Sequence, residues 1–87
     1  AVLARYEVEG GRPYLLIVRY PDEPRAESAY DRFLKVYMPE SREGSVQTED
    51  GLWTTAVRNG GLIIVLFDAP SRRASLEMIG RILKGGL

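Results

Sequence analysis

The chain has 87 residues, and its twelve Lys and Arg balance twelve Asp and Glu, so the simplest electrostatic case for a nucleic-acid partner is removed. It has no cysteine and no histidine. That excludes a disulfide scaffold, thiolate or imidazole metal ligation and imidazole-based triads, leaving carboxylates, Lys, Tyr, Ser and Thr as the only catalytic groups.

Val2, Ala4, Tyr6 and Val8 alternate with Leu3, Arg5, Glu7 and Glu9, which predicts a strand with the first set facing the core. Gly10-Gly11 supplies a hairpin turn, and Tyr14 to Tyr20 is expected to return antiparallel. The near-continuous apolar character of that second strand places it further inside the sheet. Asp22 is positioned to cap a helix with Glu23 and Pro24 in its first turn. Ala26, Ala29, Tyr30, Phe33, Leu34 and Tyr37 recur at helical spacing and form its expected core face, and Pro39 stops it.

Ser45 to Glu49 predicts a short strand, turned by Asp50-Gly51 into Trp53 to Arg58. Asn59-Gly60 turns this into Leu62 to Phe67, giving a three-stranded meander. Asp68 or Ser71 then caps a second helix, in which Met78, Ile79, Ile82 and Leu83 match Ala29, Tyr30, Phe33 and Leu34 of the first. Gly80 weakens this helix, and Gly85-Gly86 ends it.

The order ββαβββα predicts one α+β domain over residues 1–87, a two-layer sandwich of about five mostly antiparallel strands with both helices on one face. An apolar strand and an acid-and-proline turn, at Leu15–Pro24 and again at Leu62–Ser71, each lead into an amphipathic helix. Either an internal pseudo-twofold repeat or the ordinary similarity of capped helices after apolar strands accounts for this. The longest apolar run, Gly61 to Phe67, is far short of the roughly 20 residues that cross a bilayer, so no membrane insertion is expected in this segment. A chain that opens at Ala1 is read as an excised domain or a processed product.

Three features bear on chemistry. Ser71, Arg72 and Arg73 open the second helix, where backbone amides favour an anion, but arginines there are also explained by solvation or by pairing with Asp68. The acids Asp22, Glu23, Glu40, Glu43, Glu49 and Asp50 lack the spacing of a calcium loop and read as turn and cap residues, so no metal site or cofactor is assigned. Neither Gly10-Gly11 nor Asn59-Gly60-Gly61 has the spacing of a phosphate-binding loop, and each leads into a strand. Among the aromatics, Tyr6 is expected in the core with Val2, Ala4 and Val8, while the pattern leaves Tyr14, Tyr20 and Trp53 open between the core and an exposed stacking or interface face.

Ala4-Arg5-Tyr6 through Gly11, Leu15 to Pro21, the Ala26 to Phe33 helix, and Asp50-Gly51-Leu52-Trp53 followed by Leu62 to Phe67 resemble a family of uncharacterised bacterial proteins, often exported. The matching positions are strand cores, turns and helix faces, so the resemblance carries no catalytic residue. It implies a bacterial origin and a location outside the cytoplasm.

With helices on one face only, Leu15, Ile17, Ile64 and Leu66 are expected to be left for a protein partner or a homodimer. The expected function is a non-catalytic binding or interaction module associating through its sheet. The alternative is a small-ligand or anion-binding domain, or a small enzyme, that uses Arg, carboxylate and Tyr groups.

Overall fold

Apolar strands bounded by turn residues, and helices with one apolar stripe, form the elements that the patterns predict. A computed structural model describes residues 2–6 and 10–85. Its elements are β1 (Val2–Arg5), β2 (Tyr14–Arg19), α1 (Glu23–Tyr37), β3 (Ser45–Gln47), β4 (Trp53–Asn59), β5 (Leu62–Ala69) and α2 (Arg72–Gly85). The strands make one sheet in the order β1-β2-β5-β4-β3, with every neighbouring pair antiparallel. The α+β class, the ββαβββα order and the β3-β4-β5 meander agree with expectation. The expected core residue Val8, with Glu7 and Glu9, lies outside the described residues.

Local chemistry fixes the ends of the elements. Asp22 caps α1 by accepting from the Arg25 amide at 2.9 Å, and Ser71 caps α2 by accepting from the Ala74 amide at 3.0 Å. The Asp50-Gly51 turn closes through hydrogen bonds from the Thr48 hydroxyl and the Leu52 amide to Asp50 Oδ1. Those bonds, the hydroxyl first, hold the Asp50 carboxyl below its usual range. Asp68 belongs to β5 and does not cap α2. Its left-handed backbone (φ 59°) accompanies a bulge, because Trp53 pairs with Ala69 and Thr55 with Leu66, so that Phe67 and Asp68 oppose Thr54 alone.

The placement of the helices differs from the expected two-layer arrangement. α1 packs through Ala29, Tyr30, Phe33 and Leu34 on the face that carries Leu16, Ala56, Ile63 and Val65. α2 packs through Met78, Ile79 and Ile82 on the opposite face, which carries Leu15, Ile17, Ile64 and Leu66. The physical reason lies in β5. Consecutive Ile63, Ile64, Val65 and Leu66 are 5, 0, 1 and 0% exposed, and successive strand residues point to opposite faces, so both faces need cover. One helix per face supplies it and makes three layers.

This arrangement also limits the apparent repeat. A twofold axis perpendicular to the sheet between β2 and β5 exchanges those strands, but it keeps each face on its own side and cannot exchange α1 with α2.

A chain of three buried hydroxyls joins α2 to the meander. Ser45 Oγ and Thr55 Oγ1 are hydrogen-bonded at 2.8 Å, Thr55 Oγ1 and Ser75 Oγ at 2.7 Å, and Ser75 donates to the Arg72 carbonyl at 2.9 Å. On the other face the Tyr30 hydroxyl donates to the Ala56 carbonyl at 2.8 Å, and burial, with a smaller effect of Asp31, raises its pKa against the opposing Arg58 charge. These bonds fix where each helix sits along β4.

Candidate interaction surface

The four residues expected at an interface are instead part of the buried core. Leu15, Ile17, Ile64 and Leu66 are 2, 7, 0 and 0% exposed beneath α2. The reason given for a second protein layer over them, a sheet face without a helix, does not exist in this fold.

The residues expected to bind an anion do not converge. Ser71 is occupied as the α2 cap, Arg72 bonds Glu43 Oε2 at 3.0 Å, and Arg73 bonds Glu77 Oε1 at 3.1 Å along the helix. Both arginines have carboxylate partners, and neither partner is Asp68. Arg72 lines a cleft of about 420 Å³ with Glu40, Arg42, Glu43, Ser45 and Trp53, which collects charges of both signs beside an indole but includes no tyrosine. Among the described residues no cluster of three acidic side chains is close enough to hold a metal ion. Nor, among those residues, is any helix long and apolar enough to cross a membrane.

A different surface emerges from the β1-β2 end of the sheet. The helices pack chiefly on β4 and β5, so β1 lies beyond their cover. Pairing of Leu3 with Leu16, Arg5 with Tyr14 and Tyr14 with Phe67 puts these side chains on the α1 face. There the Tyr14 and Phe67 rings stack with centroids 4.9 Å apart and planes 20° from parallel. The Arg5 guanidinium lies over the Tyr14 ring, 4.9 Å from its centre, and donates to the Arg12 carbonyl at 3.0 Å, which holds it there. Leu3, beside this stack, is 67% exposed.

Phe67 also lines a mainly apolar groove of about 410 Å³ with Phe33, Tyr37, Met38 and Val46. The apolar surface is therefore continuous from β1 to the end of α1. Helical spacing assigns Tyr37 to the core, but it is 73% exposed and meets Phe33 with ring centroids 5.2 Å apart and planes tilted by 37°. Met38, just beyond the last turn of α1, is buried in that core in its place. Tyr6, also expected in the core, is 40% exposed because α2 does not extend over β1. Leu83, near the end of α2 and also expected in the core, is 41% exposed, and the α2 stripe that packs on the core is Met78, Ile79 and Ile82.

The two edges of the sheet are unlike. β3 is three residues long, and the outward amide and carbonyl of Ser45 are both bonded to Arg42, at 2.9 Å each. That bridge blunts the edge. In β1, the Tyr6 amide donates to the Pro13 carbonyl at 2.8 Å, so by strand alternation Val2 and Ala4 also face β2 while Leu3 and Arg5 turn their amides and carbonyls outward. No strand pairs with that outer side among the described residues.

Comparison with protein-family models, with curated proteins and with solved structures gives no significant match. Geometry alone therefore assigns the surface. The alternation of Leu3 and Arg5 against Val2 and Ala4 already signals which side chains face away from the α2 core. The stacking of Tyr14 on Phe67 has no such signal, because it depends on β2 pairing with β5 across the 42 intervening residues 20–61.

Proposed function

We propose that the chain is a non-catalytic protein-interaction module that associates through its sheet, at the β1-β2 end and not through the face under α2. The observation that carries this reading is the Arg5-Tyr14-Phe67 stack, which continues into the groove beside Phe33 and Tyr37 and is flanked by the exposed Leu3. Rigid aromatic side chains and an immobilised arginine lose little conformational entropy on binding, which is why such groups dominate contact energies at protein interfaces. The resemblance to exported bacterial proteins is compatible with this role, and a bacterial, extracytoplasmic setting is part of the proposal.

The test is site-specific photocrosslinking. A photoreactive phenylalanine analogue is placed at Leu3, at Tyr37 and, as a control, at the exposed Glu27 on α1. After irradiation in extract of cells producing the protein, Leu3 and Tyr37 are expected to give a discrete protein adduct that mass spectrometry identifies, and Glu27 none. Adducts that form equally at Glu27, or at no position, overturn the reading.

A further inference from the structure

We infer that the partner at this surface is a second copy of the chain, joined by antiparallel pairing of β1 with β1 about a twofold axis to make a ten-stranded sheet. This rests on the interaction reading above and names its partner. The argument starts from edge accounting. Among the described residues, each copy has one blunted edge, where Arg42 occupies Ser45, and one open edge at β1. Isologous pairing consumes both open edges and leaves only the two blunted β3 edges, so assembly closes at a dimer.

The register follows from which groups point outward. Leu3 and Arg5 flank Ala4, and an axis through Ala4 sets Leu3 of each copy opposite Arg5 of the other. All outward amides and carbonyls of Leu3 and Arg5 are then paired across the axis. The same register avoids placing Arg5 against Arg5, a like-charge pair that would oppose assembly. An axis perpendicular to the sheet keeps both α1 faces on one side, so the exposed Leu3 is covered by the aliphatic stem of the partner's Arg5 and the two aromatic stacks become one surface.

Sedimentation equilibrium of the purified chain at increasing concentration is the primary measurement, and a reversible monomer–dimer equilibrium is expected. Leu3→Pro removes an outward amide and leaves the β1-β2 bonds of Val2, Ala4 and Tyr6 in place, so it should abolish the dimer without changing the circular dichroism spectrum. Leu3→Glu and Leu3→Arg test the register. Opposite Arg5, the glutamate variant should dimerise more tightly than the arginine variant by roughly tenfold at low salt, and the gap should narrow as salt is added. A wild-type chain that stays monomeric, a Leu3→Pro variant that dimerises normally, or equal dimerisation of the two charge variants would each overturn this pairing. If the chain is monomeric and the Leu3 crosslinker still captures a different protein, the second copy is rejected and the interaction reading stands. If Leu3 captures neither, both fall.

Discussion

Gly44 shows how one residue decides the approach of α1 to the sheet. Its φ is +80°, and a Cβ built on it would lie 2.5 Å from the Ala56 carbonyl oxygen and 3.0 Å from the Tyr30 hydroxyl. That carbonyl is the acceptor of the Tyr30 hydrogen bond and sits beside the strand bond from the Ala56 amide to the Gly44 carbonyl at 2.8 Å. Gly44→Ala combines left-handed strain with loss or distortion of the Tyr30 bond, and should cost at least about 2 kcal/mol in urea denaturation. A loss within about 0.5 kcal/mol, the usual range of a neutral surface change, would mean that the close approach is not required for folding.

At the scale of elements, each helix has a stripe matched to one sheet face and a discrete polar tie to β4. In α2 the tie is Ser75 to Thr55, and the stripe is Met78, Ile79 and Ile82. Gly80 lies between these contacts in the helix interior, where a Cβ would meet no atom within 4 Å. It therefore contributes flexibility to the unfolded chain without serving a close approach. Gly80→Ala should raise stability by up to about 1 kcal/mol, with no change in the dimerisation set by β1. Destabilisation in thermal or urea unfolding would show that α2 depends on the flexibility at this position. The exposed ion pairs Arg25–Asp22 and Arg73–Glu77 contribute little beside these terms.

At the scale of the molecule, β5 is the common wall of two cores. Leu66, fully buried, belongs to the α2 side and Val65, 1% exposed, to the α1 side, so damage to either core is transmitted through one strand. Leu66→Ala should cost about 2 to 5 kcal/mol, a large part of the stability of a domain of this size. Fluorescence of Trp53, which packs on the same core, and far-ultraviolet circular dichroism should lose their signals at one common denaturant concentration. Two separated transitions would show that the cores unfold independently.

Every element was legible in the sequence, because local signals set them: the Asp22 and Ser71 caps, the Asp50-Gly51 and Asn59-Gly60 turns, and the switch between alternating and helical apolar spacing. The two-sided apolar character of Leu62 to Phe67 was equally plain and correctly implied that both faces need cover. Which group supplies the cover was decided only in the tertiary structure. α2 could take the face of Leu15, Ile17, Ile64 and Leu66 once β2 and β5 had paired, and that pairing joins segments with no local signal for each other. The same long-range pairing brings Tyr14 to Phe67, leaves β1 at the edge and carries Arg72 to Glu43 instead of to Asp68. Periodicity fixes which side chains share a face, whereas the occupant of that face depends on chain closure over long separations, which no local spacing encodes.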